Sequence, residues 1–386
     1  MIDKLVIMAT YQDKVYGGNV AIIADGAIDL FVLPVNRREF ARFERLYNEE
    51  IPNASEILDL AKHLGTTIES YPGGPALTIG QHFAVRKTPY GPVREVSAVL
   101  LTGDGEDTTK YLRNFENLDI ETRPRIRSGL MPRCIYVLNP EKNQDKKELP
   151  PAWEGNVTDK EIVGNERNMS YRLSPDFIRL HDTIILSSTH PQVAKRAINY
   201  FRGQLSVYSP GPIFDYTPFE ETLFPEIIKK ANYLAVNRKE ARNIMGNMGY
   251  SELDRIGSLK KKADYTNLRK LFDDYPNSDL ELIIMTMGAK GSFGFHRDGD
   301  SYMFNLSKVK RGKVNSRGIK SRVGAGDRHL AATVIGIWNH DPLDKILHDA
   351  AFEAQKALLH TGAIDPRLIE VGGRKNLYPG VTKILA

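Results

Sequence analysis

The sequence predicts an α/β protein with a mostly parallel central β-sheet and helices on both faces. Short runs of β-branched and other apolar residues alternate along the chain with longer segments of helical period. This alternation is typical of parallel strands joined by crossover helices, which cover the sheet on both sides. No period of about 20–50 residues repeats, so solenoids and propellers are excluded.

The individual elements follow from these runs. The predicted strands are Val20–Ile23, Leu30–Leu33, Val96–Leu101, Ile135–Leu138, Thr183–Leu186, Tyr233–Val236 and Leu282–Met285. The clearest predicted helices between and after them are Thr108–Asn117, Gln192–Phe201, Lys239–Met245 and Asp327–Trp338. In the last of these, apolar residues recur at i+4 spacing, which gives the helix an apolar face for packing on the sheet.

We interpret the chain of 386 residues (1–386) as one domain with two added segments. At about 150 residues per domain the length also fits two domains, but the strand–helix pattern runs through the whole chain. Pro34–Ser70 contains two charged helical patterns where a short connection would suffice. Asn139–Tyr171 is rich in Lys, Glu, Asn and Pro, which favours an exposed lid or insertion. We therefore expect lid or insertion segments at about 34–70 and 139–171.

Charge and cysteine content limit the compartment and the partners. The 53 Lys and Arg exceed the 48 Asp and Glu by only five, and both signs are interspersed, so a nucleic-acid partner is not expected. The one cysteine, Cys134, lies in an apolar run; it excludes an internal disulfide framework and fits a reducing compartment. No apolar run is long enough for a signal peptide or a membrane span. We expect a cytoplasmic protein without a membrane partner.

A glycine-rich turn directly before the last helix is the most informative segment. It reads Gly324-Ala325-Gly326-Asp327. Glycines at a helix N-terminus let backbone N–H groups approach an anion, and the helix dipole favours a transferring phosphoryl group there. Asp327 is placed to accept the proton of an attacking hydroxyl. A structural turn with an acidic residue favoured by the dipole is an equally good interpretation of this segment alone.

Two other segments have the residue types that hold phosphates. A strand ends at Thr286 and continues into a turn with Gly288 and Gly291, where a hydroxyl and exposed N–H groups suit a phosphate. Taken alone, a structural tight turn is the favoured interpretation. Asn237 and Glu240 follow another strand at capping-box spacing. The same pair is suited to holding a hydrated Mg²⁺ beside phosphates.

The acceptor of such a phosphoryl group needs hydrogen-bonding partners of its own. Gly73 and Gly74 open a further helix, and Asp29 lies in an apolar strand region. Burying a carboxylate is costly unless it is paired, so Asp29 is expected to have a specific partner such as a ligand hydroxyl. A structural hydrogen bond is the alternative.

Together these segments resemble the motifs of the ribokinase-like (PfkB) carbohydrate kinase family, and they occur in the same order. The resemblance extends from about Val20 to Arg374, and the Gly-Ala-Gly-Asp turn is its most specific part. It implies a ribokinase-like three-layer α/β/α fold with a central, mostly parallel sheet and a small lid. Because lids in this family often pair between subunits, it also suggests a homodimer.

The resemblance also implies a role for each matched residue. The catalytic base is Asp327, and the anion hole is Gly324, Ala325 and Gly326. The nucleotide-phosphate turn is Thr286, Gly288 and Gly291. The Mg²⁺–phosphate network is Asn237 and Glu240, with Glu240 reaching Mg²⁺ through water. The acceptor contacts are Asp29, Gly73, Gly74 and Thr78.

From residues and resemblance together we expect an ATP-dependent kinase. It would transfer the γ-phosphoryl group of ATP, with Mg²⁺ bridging the phosphates, to a hydroxyl of a sugar or sugar-like small molecule. A nucleoside kinase of the same fold is one alternative. A catalytically silent family member that acts as a binding or regulatory module is the other.

Overall fold

The fold is described from a computed structural model of the chain. The residues it describes are 18–24, 26–47, 52–87, 93–103, 105–126, 131–141, 149, 152–154, 173–211, 223–248, 266–299, 301–305 and 323–359. The strands are β1 (Gly18–Ala24), β2 (Ala27–Leu33), β3 (Thr67–Gly73), β4 (Val93–Thr102), β5 (Glu121–Ile126), β6 (Arg133–Val137), β7 (Ala152–Glu154), β8 (Thr183–Ser187), β9 (Leu205–Ser209), β10 (Tyr233–Asn237), β11 (Leu282–Thr286), β12 (Gly291–His296) and β13 (Ser301–Asn305). The helices are α1 (Arg37–Leu46), α2 (Ala54–Leu64), α3 (Pro75–Ala84), α4 (Glu106–Asn117), α5 (Pro175–Arg179), α6 (Pro191–Tyr200), α7 (Leu223–Ile228), α8 (Arg238–Asn247), α9 (Lys270–Asp274), α10 (Ala325–Trp338) and α11 (Leu343–Ala357).

The large sheet has the strand order β13-β12-β11-β10-β9-β8-β1-β4-β5. Its strands are parallel except β12 and β13, which are antiparallel to their neighbours. From β1 the chain adds β4 and β5 on one side and β8 to β11 on the other, so the strand order reverses at β1. In open α/β sheets, ligands bind beyond the carboxyl ends of the strands at such a reversal.

Both faces of the large sheet are buried by helices. Along β1, Ile22 packs in the core under α3, α10 and α11, and Ile23 packs in the core under α6, α7 and α8. Successive side chains of a strand point to opposite faces, so a strand buried on both faces must be apolar at every position. This explains why the parallel strands were recognisable as short continuous apolar runs.

A second, small sheet has the strand order β3-β2-β6-β7. Helices α1 and α2 cover one of its faces, where Phe40 and Phe43 pack with Leu30 and Val32 of β2. The segment 34–70 therefore supplies two helices and most of β3 to this unit. Most of the second predicted segment, 139–171, lies outside the described residues; β7 belongs to its described part.

The predicted α/β class is confirmed, and every predicted strand and helix is present. Two predicted neighbours, Val20–Ile23 and Leu30–Leu33, lie in different sheets, as β1 and β2. Strands β3, β5, β7, β9, β12 and β13 were not predicted. Cys134 is fully buried in β6. None of the described helices is long and apolar enough to cross a lipid bilayer.

Candidate active site

The structure brings the residues singled out in the sequence together in pairs. Asn237 ends β10 and Thr286 ends β11, and the two are direct neighbours in the parallel pairing of these strands. Asp29 lies on β2, the strand that follows β1 at the point where the strand order reverses. Asp327 lies in the first turn of α10 and is close enough to Asp29 to raise the pKa of that carboxyl group.

The structure buries the carboxyl group of Asp29. Its side chain is 2% exposed, and its Oδ2 atom has no hydrogen-bond partner among the described residues. Burial, and then the negative charge of Asp327, raise its pKa well above the ordinary value. An acceptor atom left unsatisfied in this way is costly unless a ligand donates to it.

The two positions at the start of α3 are occupied by glycine for different structural reasons. A Cβ atom on Gly73 would lie 2.1 Å from Oδ2 of Asp29, so only glycine leaves room for the carboxylate. Gly74 has φ +80° at the N-cap position, a conformation that other residues rarely adopt. Thr78 is buried on the first turn of α3, and its hydroxyl donates to the Gly74 carbonyl at 3.1 Å. The acceptor-binding role of Thr78 stays a prediction.

The anion-hole turn leaves open space at the N-terminus of α10. Gly324 caps the helix with φ +74°, in the left-handed region. Gly326 is exposed, and a Cβ atom there would meet no atom of the described residues within 4 Å. Ala325 follows Gly324 as the first residue of the helix, and the role of this turn as an anion hole stays a prediction.

Asp327 has the electrostatics of a general base. Burial raises its pKa from 3.8 to about 6, although the side chain keeps some access to solvent. A carboxylate with this pKa is largely ionised at pH 7 and is a stronger base than an exposed aspartate. The next residue but one, His329, is buried and its pKa is lowered to about 4, so it is neutral at pH 7.

The turn after β11 has the backbone expected of a phosphate cradle and equally that of a tight turn. Gly288 has φ +57° and Gly291 has φ +106°. The Met287 N–H donates to the Gly291 carbonyl at 2.8 Å and closes the turn. A Cβ atom on Gly288 would meet no protein atom within 4 Å, so this side of the turn is open. Both interpretations made from the sequence are compatible with this geometry.

Asn237 and Glu240 form the predicted capping box. Asn237 Oδ1 accepts from the N–H groups of Lys239 and Glu240 at 2.8 and 3.0 Å, and the Asn237 N–H donates to Glu240 Oε2 at 2.8 Å. The Asn237 side-chain amide donates to the other oxygen of Glu240. A carboxylate oxygen is a donor of the kind that suits a hydrated Mg²⁺ held through water, and this role of the pair stays a prediction. No acidic, His or Cys cluster for direct coordination occurs among the described residues.

Sequence reasoning missed one residue that contacts the site. Tyr111 of α4 is fully buried, and its hydroxyl donates to the Gly73 carbonyl at 2.9 Å. In the sequence it is one of the inward-facing positions of an amphipathic helix, together with Thr108 and Phe115. No local signal distinguishes such a tyrosine from an ordinary core aromatic residue.

A family model for PfkB family carbohydrate kinases matches residues 49–370. The chain belongs to the PfkB family of carbohydrate kinases. As a PfkB family member it is a phosphotransferase that acts on a hydroxyl group. The matched span begins after β2, so it includes Gly73 and Asp327 but not Asp29. No curated protein is similar enough in sequence to be matched.

Solved structures similar to this PfkB protein share its ribokinase-like fold. Adenosine kinase from Schistosoma mansoni, in complex with 2-fluoroadenosine, has a TM-score of 0.68 and 15% sequence identity, over 92% of this chain and 100% of that chain. A probable sugar kinase from Rhizobium etli CFN 42 has a TM-score of 0.64 and 11% sequence identity, over 92% of this chain and 97% of that chain. Ribokinase from Cryptococcus neoformans var. grubii serotype A, in complex with ADP, has a TM-score of 0.59 and 15% sequence identity, over 92% of this chain and 96% of that chain. At these identities the similarity establishes the fold.

Proposed function

We propose that this PfkB protein is an ATP-dependent kinase that phosphorylates a hydroxyl of a sugar or sugar-like small molecule. The observation that carries the proposal is the pair of carboxylates, Asp29 and Asp327, close together where the strand order reverses and where α10 begins. One carboxylate has a raised pKa suited to proton transfer, and the other has a buried oxygen that lacks a donor.

Each group has a part in the transfer. Asp29 accepts hydrogen bonds from acceptor hydroxyls, which supply the donors that its buried oxygen lacks. Asp327 accepts the proton of the attacking hydroxyl as that oxygen bonds to the γ-phosphorus of ATP and the bond to the ADP oxygen breaks. The backbone N–H groups from Gly324 to Gly326 stabilise the negative charge on the transferring group.

The nucleotide lies along the ends of β10 and β11 in this proposal. Thr286, Gly288 and Gly291 hold its phosphates through a hydroxyl and backbone N–H groups. Glu240, fixed by Asn237, would hold Mg²⁺ through water. When bound, Mg²⁺ neutralises charge on the phosphates. The ADP bound to the ribokinase of similar fold from C. neoformans supports an adenine nucleotide as the donor.

The aromatic side chains beside Asp29 favour a nucleoside as the second candidate acceptor. Asp29 pairs with Tyr71 across β2 and β3, and residues directly opposite each other share a face of the sheet. Phe31, two residues further along β2, lies 5.6 Å from the Tyr71 ring and 5.2 Å from the Tyr136 ring. A planar base linked to a sugar would find aromatic partners on this face. The S. mansoni enzyme of similar fold binds 2-fluoroadenosine.

A coupled screen for ADP release tests the proposal. Purified protein is incubated with ATP, MgCl₂ and a panel of sugars and nucleosides, with Asp327→Asn as the matched control. Acceptor-dependent ADP release by the wild type, and its loss in the variant, would support a kinase and name the acceptor. If no compound of the panel stimulates ADP release while ATP still binds by calorimetry, the silent binding or regulatory module is favoured instead.

Cytoplasmic location and a homodimer stay predictions. Sedimentation equilibrium of the purified protein tests the second, since a monomer of 43.4 kDa and its dimer differ twofold in mass.

A further inference from the structure

The buried hydroxyl of Tyr111 lies directly behind the proposed acceptor site. Tyr111 is fully buried on α4, and its ring packs edge-on against Phe115, 5.4 Å between centroids. Packing in the core requires only the aromatic ring of this residue. The hydroxyl is different, because it donates to the carbonyl of Gly73 at 2.9 Å, and Gly73 is the last residue of β3 before the Gly-Gly turn.

The same side chain also packs close to the chain just before β2. A Cβ atom on Gly26 would lie 3.2 Å from the Tyr111 hydroxyl and 3.0 Å from its ring, so the backbone of Gly26 packs closely on this side chain. Gly26 precedes Ala27, the residue that pairs with Gly73 across β2 and β3. Tyr111 therefore touches the start of β2 and the end of β3 at one point.

These contacts continue to the carboxylate. The Asp29 side chain packs on the Cα of Gly73 so tightly that a Cβ would lie 2.1 Å from one carboxylate oxygen and 2.5 Å from the other. A peptide unit whose carbonyl is held by a hydrogen bond cannot rotate freely. When the donor is removed, a buried carbonyl turns toward another donor or toward water. Such a rotation at Gly73 would move the surface against which Asp29 rests.

We propose that Tyr111 is a positioning residue for the acceptor site. Its hydroxyl fixes the Gly73 peptide, and through it the Gly73-Gly74 turn and the Asp29 carboxylate. The inference rests on the proposed function for its kinetic consequence, but the positioning of the turn itself does not depend on any activity.

Tyr111→Phe tests this, because it removes the hydroxyl and keeps the ring. The expected result is a fall of about tenfold in kcat/KM for the acceptor, with the KM for ATP within about twofold of wild type. Hydrogen–deuterium exchange should be faster in the peptide covering residues 71–78 and unchanged in residues 233–247. Tyr233→Phe is the matched control, since Tyr233 is also fully buried but begins β10, at the end of the strand away from Asn237.

The possible results separate this inference from the function itself. If the wild type phosphorylates none of the acceptors tested but exchange in residues 71–78 is faster in Tyr111→Phe only, the kinase proposal fails and the positioning role stands. Wild-type acceptor kinetics together with unchanged exchange in Tyr111→Phe would overturn the positioning role. Faster exchange in residues 71–78 of both variants would also overturn it, because it would indicate general loosening of the core.

Discussion

Protonation of Asp327 is expected to inactivate the enzyme at mildly acidic pH. The proposed base works only when ionised, and burial places its pKa at about 6. With this pKa, the ionised fraction is about 0.9 at pH 7 and about 0.1 at pH 5. At the ordinary value of 3.8, it would still be about 0.9 at pH 5. The kcat/KM for the acceptor should therefore fall about tenfold between pH 7 and pH 5.

Asp327→Asn keeps the shape of the side chain and removes its ability to accept a proton. We expect kcat to fall by roughly 10²–10⁴-fold at pH 7. The residual activity should no longer show the step near pH 6, which is the fall in activity as Asp327 is protonated. Asp29→Asn is expected to keep that step near pH 6, because the raised pKa of Asp327 comes from its own burial.

Asp327→Asn should also be more stable than the wild type at neutral pH. The folded-state pKa of Asp327 is raised, so between about pH 4 and 6 the folded protein holds a proton that the unfolded chain has lost. Wild-type stability therefore falls as pH rises through this window, and the penalty is complete above about pH 6. The difference between 3.8 and about 6 corresponds to at most about 3 kcal/mol, and solvent access at Asp327 lowers it toward about 1 kcal/mol. Asparagine carries no such penalty.

Initial rates across pH 5–8 and thermal unfolding at pH 4 and pH 7 check both expectations. The Tm of Asp327→Asn should match wild type at pH 4 and exceed it at pH 7. A wild-type profile that is flat from pH 5 to pH 7, or a variant that retains wild-type turnover, would refute Asp327 as the base.

Three further substitutions separate binding, catalysis and folding. Asp29→Asn should raise the acceptor KM about tenfold or more and leave ATP affinity by calorimetry unchanged; equal losses for both ligands would indicate a structural role. Gly326→Ala should lower kcat/KM for ATP. Its thermal stability should be equal or higher, because a Cβ there meets no atom of the described residues within 4 Å. Unaffected kinetics would show that the phosphoryl group does not approach this turn. Arg297→Lys should lower the free energy of unfolding in urea by about 2–3 kcal/mol without changing kinetics, since the guanidinium donates to four backbone carbonyls and lies 5.2 Å from a phenylalanine ring. A loss below about 0.5 kcal/mol would contradict that role.

The parts of the fold that the sequence predicted are those set by local pattern. β8, β10 and β11 lie inside the large sheet, where both faces are buried, so their residues are apolar in succession and the runs are conspicuous. The capping box of Asn237 and Glu240 was predictable for a similar reason. Its geometry depends on a spacing of three residues and on nothing distant in the chain.

Strands that depend on their partners were not predictable. β5 carries three charged residues and a proline, and it lies at the edge of the large sheet, where one side of a strand needs no ladder hydrogen bonds. In β3 only the last two of the seven residues are buried, and the strand exists because β2 pairs with it along all seven residues. Nothing within either segment specifies that pairing.

The same distinction explains which site residues were found. Asp29 is conspicuous because a carboxylate in an apolar strand is costly, and Asp327 because it follows a glycine-rich turn at a helix N-terminus. In the structure burial raises the pKa of both. Neither has an ion-pair partner within the described residues, so both oppose folding at neutral pH. In the proposed function, acceptor hydroxyls donate the hydrogen bond that the buried oxygen of Asp29 lacks. Tyr111 carries no such cost, since its hydroxyl is satisfied by Gly73. A residue that positions the site by a satisfied contact is therefore visible only once the chain is folded.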